Sequence, residues 1–540
     1  MQIVLIVVAV LLAVALYLYL VFLALVFVAT PLTLIGAGLG GVAGMGIVLH
    51  RAAAVLTGTD RDVPVRTPAE VVSGRLAGRV PARFVRRDFA WPNYFAVQVR
   101  LDLTHVASRA LASCRLLVTR TTGPITAWDP RVLVVVWPFL VPVVGSLAGL
   151  TAGVLLAVVV LAVVFALVTG LAWLAGLAVA AVLTTADRAW QRVFRATGTC
   201  PRCYVNSEVP AYRCPGSHSP QDVQEGRDLH RNLRPGRLGV IWRRCGCGHR
   251  LPTTVLRAAR SLVAVCPTCQ QPLHRTAAVD TDIRIPVFGS ASAGKTHLIM
   301  ASLVTLVRAD SGGGGSVVAA DEHAERMLRE FTEIFDRGDR APKTSAAQQP
   351  LAVTVRIGDN RRGALLHVFD AAGEALADPD ENARLSYLDT ARTLLFVLDP
   401  FSIPQVRDSC MAGFETVFAD ANAATEHPEV SYQATAQRLR DHGVDTRRQR
   451  LGFVVSKRDL LERLQLDDFP GSDSSAVQGW LRARGLVNLV TAAERDFGEV
   501  RYFLVSSMRT TDEEDLFAPF RWLLDSEPVT LPTTTRRGAR

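Results

Sequence analysis

The stretch "FGSASAGKTHL", residues 288–298, decides how the second half of this 540-residue chain is read. It contains G-x-x-x-x-G-K-T as Gly289, Ser290, Ala291, Ser292, Ala293, Gly294, Lys295 and Thr296. An apolar run "IRIPVF" precedes it and the helical pattern "HLIMASLVTLV" follows, so the loop sits between a buried strand and a helix. The glycines let the backbone turn its N–H groups onto a polyphosphate. Lys295 then reaches the outer phosphates and the Thr296 hydroxyl is a ligand for Mg²⁺. This context predicts a site for a nucleoside triphosphate.

Further strands on the C-terminal side say which nucleotide. "ALLHVFDAAGE" ends a buried strand at Asp370, with Gly373 three residues later, placing a carboxylate for Mg²⁺ and a backbone N–H for the γ-phosphate. "TLLFVLDP" is another buried strand. "LGFVVSKRD" brings Ser456, Lys457 and Asp459 to the end of a third. The Asp459 carboxylate can accept from guanine N1–H and the 2-amino group; adenine lacks that amino group and turns a lone pair toward it. That pattern selects GTP. "RYFLVSSM" sets Ser506 and Ser507 after a last strand, where a backbone N–H can meet the guanine carbonyl.

Taken in order, "GSASAGKT", "DAAGE", "SKRD" and "SSM" resemble the sequential motifs of P-loop GTPases of the Ras-like kind. With its apolar N-terminal half and a Cys-rich module ahead of the nucleotide motifs, the whole chain is similar to membrane-associated bacterial double-GTPase proteins. The resemblance implies signalling or conflict systems and a second GTPase as partner. It also implies a role for Thr344, in "APKTSAAQQPLAVTV", as the switch threonine on Mg²⁺. Two departures stand out. Ser456 replaces the usual Asn or Thr, which implies a looser pocket, and Glu374 replaces the glutamine that orients the attacking water. A carboxylate there cannot donate as an amide does, so the expected intrinsic hydrolysis is slow, with a partner's arginine as a source of stabilisation.

Seven of nine cysteines fall between positions 200 and 269, as "CPRC", "CPGSH", "CGCGH" and "CPTC". Paired thiolates in tight turns are the pattern of tetrahedral Zn²⁺ sites, and eight ligands fill two of them with no open position, so both are expected to be structural. The first reading pairs Cys200, Cys203, Cys214 and His218, then Cys245, Cys247, Cys266 and Cys269; an interleaved pairing, or His230 or His249 in place of His218, stays open. Cys114 and Cys410 stand alone and read as small apolar residues.

The N-terminal half is apolar without charge from Ile3 to Ala29, again across "PLTLIGAGLGGVAGMGIVL", and from Val132 to Leu183. These lengths predict two transmembrane helical hairpins, turning at Thr30-Pro31 and within "GSLAGLTAG". The intervening segment carries thirteen arginines, and Arg188, Arg192 and Arg195 follow the last span. Arginine-rich flanks face the cytoplasm. The expected topology is therefore multi-pass in the bacterial cytoplasmic membrane, with both termini and the GTPase domain cytoplasmic. The formal net charge of +9 is explained by that topology, which argues against nucleic acid as a partner.

Lysine is nearly absent, with Lys295, Lys343 and Lys457 the only three, and two of them lie in nucleotide motifs. The expected organisation is a hairpin over 1–50, a basic segment over 51–131 that includes a small folded unit around "DFAWPNYFAVQVRLDL", and a second hairpin over 132–185. A zinc-ribbon-like module over 196–276 follows, then an α/β, Rossmann-like, mostly parallel GTPase domain over 280–527 and a disordered tail over 528–540. Inside the GTPase domain, "ADSGGGGSVVAADEHAERMLREFTEIF" reads as a flexible linker and an inserted helix. Two alternatives to a hydrolysing switch remain: a GTP-binding scaffold with little turnover and a membrane-bound P-loop ATPase.

Overall fold

The computed structural model describes residues 2–60, 62–66, 80–81, 88–310, 316–339, 351–358, 363–370, 391–411, 413–441, 443–506, 508, 513–527 and 529. The chain forms two compact units, one of Met1–Thr184 with Arg234–Arg244, the other of Thr185–Leu233 with Cys245–Arg540.

The first unit is mainly helical, with one short antiparallel strand pair, Pro64–Val65 against Val80–Pro81. Helix α1 (Gln2–Leu23) passes through a π-helical turn (Ala24–Ala29) directly into α2 (Thr30–Leu56). The hairpin expected at Thr30-Pro31 does not form. Proline lacks an N–H and its ring crowds the preceding turn, and the wider π turn absorbs both defects. The Thr30 N–H reaches back five residues to the Leu25 carbonyl, and its hydroxyl donates to the same oxygen at 2.7 Å. After α3 (Tyr94–Thr126), helix α4 (Pro130–Val193) runs 64 residues without interruption, so the second expected hairpin is absent too. The described residues thus hold two helices long and apolar enough to cross a membrane, 2–56 and 130–193, in place of four spans.

The glycines of α4 read as a turn instead meet those of α2, whose glycine-rich stretch has the composition of helices that pack closely in lipid. Gly36, Gly40 and Gly44 of α2, and Gly145, Gly149 and Gly153 of α4, recur every fourth residue and so share one face of each helix. A Cβ on Gly40 would overlap the Ser146 carbonyl, one on Gly44 the Leu150 carbonyl, and one on Gly149 the Ala37 carbonyl. Glycine inside a helix costs about 1 kcal/mol against alanine, which weakens a helix without ending it. Backbone-to-backbone contact is the compensation. Among the described residues of the basic segment, "DFAWPNYFAVQVRLDL" leads into α3, whose Val106, Ala110 and Cys114 pack on Val48, Ala52, Leu150 and Val154.

The second unit joins the Cys-rich module to the nucleotide domain. The module has β1 (Gly198–Thr199) paired with β2 (Asn206–Ser207), and β3 (Ala211–Arg213) between β4 (Leu229–His230) and β5 (Val263–Val265). The nucleotide domain is a seven-stranded sheet built from β6 (Thr281–Phe288), β7 (Ser316–Ala319), β8 (Leu351–Gly358), β9 (Gly363–Asp370), β10 (Thr393–Leu398), β11 (Arg450–Val455) and β12 (Glu499–Leu504). Its order is β7-β8-β9-β6-β10-β11-β12, parallel from β9 through β12 and antiparallel at the β7–β8 edge. The central strands are buried along nearly their whole length, as parallel strands covered on both faces must be.

Helix α5 (Lys295–Asp310) covers one face, with α6 (Glu322–Arg337) and α8 (Glu513–Leu524), the short α7 (Arg458–Glu462) lying between them in sequence. Helix α6, read as an insertion, packs into the domain core, where Phe331, Ile334 and Phe335 are buried with Leu303 and Val304 of α5. Residues 316–319, between the glycine run read as a linker and α6, form the edge strand.

A buried polar cluster stitches module to sheet. The Asp282 carboxylate on β6 accepts from the Thr197 and Thr199 hydroxyls, each at 2.7 Å, and its other oxygen lies 3.4 Å from His367 Nε2 on β9. Burial holds His367 below its usual range, so at neutral pH a neutral imidazole meets the Thr354 hydroxyl at 2.8 Å. Tyr204 packs edge-on against Phe369, and Arg195 pairs with Glu527 at 2.7 Å. Module and sheet therefore share one buried core. The helix contact is testable in the detergent-solubilised chain: Gly149→Leu should lower its thermal stability by several degrees, from overlap costing about 1–3 kcal/mol. Gly38→Leu, where nothing lies within 4 Å, should leave it unchanged.

Candidate functional site

The nucleotide motifs meet at the carboxyl ends of β6, β9, β10, β11 and β12, where open α/β sheets bind ligands. Gly289 leaves β6 at φ 141° and Gly294 turns at φ 92°, with Ser292 also left-handed at φ 65°. A side chain at 289 would run into the Val397 carbonyl of β10. The loop folds over Lys295, whose ammonium donates to the Gly289 and Ser290 carbonyls, both at 2.9 Å, at the start of α5. The Thr296 hydroxyl donates to Asp370 Oδ2 at 2.6 Å. A hydroxyl and a carboxylate side by side are the hard oxygen donors that suit Mg²⁺.

The base side is as well ordered. Ser456 donates to the Ala293 carbonyl at 2.7 Å and lies 3.1 Å from the Leu398 carbonyl, so it fastens the end of β11 to the phosphate loop. The looseness expected from serine at this position is absent at that link. Lys457 is left-handed at φ 56° and starts α7. Asp459, in the first turn of α7, accepts from the Ser506 hydroxyl at 2.9 Å. Sequence reasoning gave Ser506 a backbone role; the structure adds a side-chain one, fixing the carboxylate that would read the base edge. Thr344, Gly373, Glu374 and Ser507 lie outside the described residues.

One residue was missed. Asp399, the strand-end acid of "TLLFVLDP", is fully buried and pairs with Lys457 at 2.7 Å. Burial pushes its carboxyl up, opposed by the Lys457 ammonium and by N–H groups of Ala424 and Phe401. The available signal was its position, a carboxylate ending a buried strand as Asp370 does.

The eight metal-ligand candidates assemble into two groups of four, but not as first paired. Cys200, Cys203, Cys266 and Cys269 form one group, and Cys214, His218, Cys245 and Cys247 the other. The reason is pairing of β3 with β5, Ala211 opposite Val265, which carries the last knuckle back to the first. The two outer knuckles are alike: the Cys200 carbonyl accepts from Tyr204 N–H at 2.9 Å and the Cys266 carbonyl from Gln270 N–H at 3.0 Å. Tyr204 and Gln270 both adopt φ near 60°. The donors fit zinc. Sγ to Sγ separations of 3.5–3.6 Å approach the edge of about 3.8 Å that a tetrahedron with Zn–S of about 2.3 Å requires. Burial pushes the Cys200 and Cys214 thiols up, so these two keep their protons unless a cation replaces them, whereas at Cys266 and Cys247 burial is outweighed by hydrogen bonds that hold the thiol down.

Residues 283–518 match the Double-GTPase 2 family. The matched segment runs from β6 into α8 and contains every nucleotide motif above, which supports a GTP-binding domain of the double-GTPase P-loop kind. No curated protein matches the chain. Among solved structures, the Arl6 BBS3 small GTPase from Trypanosoma brucei with bound GppNp is similar at 15% identity, over 46% of this chain and 97% of that one, with a TM-score of 0.23.

The metal pairing has a direct check. Elemental analysis of the purified chain should find about two Zn²⁺. Cys200→Ser with Cys269→Ser should remove one, and Cys269→Ser with Cys214→Ser should remove both.

Proposed function

We propose that this chain is a membrane-anchored GTP-binding protein that hydrolyses GTP to GDP as a regulatory switch, working with a partner GTPase. The observation that carries the reading is Asp459, held by Ser506 beside the phosphate loop, because its carboxylate accepts both donors of the guanine edge. The loop N–H groups and Lys295 would bind the phosphates and stabilise charge on the transferring group. Mg²⁺, held by Thr296 and Asp370, would supply further neutralisation of the phosphate oxygens. In this reading Thr344 joins that shell, Gly373 senses the γ-phosphate, and a partner's arginine offsets the glutamate at 374.

Two Zn²⁺ ions would be structural, since each group offers four protein donors and leaves no position for a reactive water. In this reading the two apolar helices anchor the chain, and the arginines after the second support a cytoplasmic side of a bacterial membrane for the GTPase domain. A scaffold that binds GTP with little turnover is the second reading, favoured by Glu374 alone.

Competition binding with the full chain tests the base assignment. GTP should exceed ATP by on the order of 10³, and Asp459→Asn should abolish the preference. Equal binding of ATP would overturn it, and absence of phosphate release from bound GTP would leave the scaffold.

A further inference from the structure

Lysine at 457 has four side-chain torsions and would ordinarily be dispersed in solvent. Here both of its ends are fixed. Its left-handed backbone opens α7, where its carbonyl accepts from Leu460 and Leu461, and its ammonium lies 2.7 Å from Asp399 Oδ2. The Asp399 side chain is entirely buried and the lysine side chain only 15% exposed. Asp399 also accepts from Phe401 N–H at 3.0 Å through Oδ1 and from Ala424 N–H at 2.7 Å through Oδ2.

Capping the turn Pro400–Ser402 needs only the first of these bonds. Oδ2 faces two donors at once, one of them charged, so this position requires an acceptor-only ionised group; an amide would turn N–H groups toward N–H groups. A carboxylate buried this completely needs a counter-ion, and Lys457 is the cation paired with it. We propose that Asp399 is a positioning residue of the guanine site, holding Lys457 in place before nucleotide arrives so that the lysine adds no ordering cost on binding. The same carboxylate ties that lysine to the chain at Ala424, which follows the helix Glu415–Ala421. The inference rests on the GTP reading above.

The test uses the full-length chain in detergent with fluorescent GDP. Asp399→Asn should weaken GDP binding roughly 10- to 30-fold, the ordering cost of a freed lysine, chiefly through faster dissociation. The single-turnover rate at saturating GTP should stay within about twofold, since Lys295, Thr296 and Asp370 are untouched. Lys457→Gln should weaken binding as well, and Asp399→Asn with Lys457→Gln should bind no worse than Lys457→Gln alone. That neutral pair also guards against an Asp399→Asn chain that fails to fold, because neither charge is left buried alone. Losses that multiply in the double variant would overturn the proposal, as would an Asp399→Asn chain with wild-type affinity. A wild-type chain that binds no guanine nucleotide would instead overturn the GTP reading itself.

Discussion

The loop that leaves β6 must pass against the Val397 carbonyl of the neighbouring strand, and only a residue without a Cβ can make that passage. The nucleotide half depends on this approach. It lets the backbone close over Lys295, sets Thr296 on Asp370, and brings the Ala293 carbonyl within reach of Ser456. Phosphate side and base side are thereby fastened together before any ligand enters. Preorganised donors of this kind give a phosphoryl-transfer site most of what it can offer, because the reaction asks for position and charge rather than covalent help.

A second constraint acts at the opposite end of β6. Asp282 near its start gathers the threonines at 197 and 199, and His367 stands on the adjacent strand. The Cys-rich module thus packs on the sheet as part of its core, and metal binding there would stabilise the whole unit by linkage. Residues 185–195 belong to the same unit: Asp187 accepts from the Val255 N–H at 2.9 Å, and Trp190 donates to the Val279 carbonyl at 3.2 Å.

Chain chemistry alone determined the nucleotide class, the order of strands bearing the motifs, and all eight metal-ligand candidates. Each of those signals is local: glycine spacing, a strand-end carboxylate, or paired cysteines in a tight turn. What the tertiary structure decided is long-range. The ligand pairing follows from β3 meeting β5, the role of Ser456 from β11 ending beside the phosphate loop, and the importance of Asp399 from a lysine 58 positions away. The glycines of α2 and α4 show the limit most clearly. In sequence those of α4 read as a turn and those of α2 as a close-packing face, because the backbone freedom that permits a turn is the same property that permits two helices to touch, and only the partner helix says which is used.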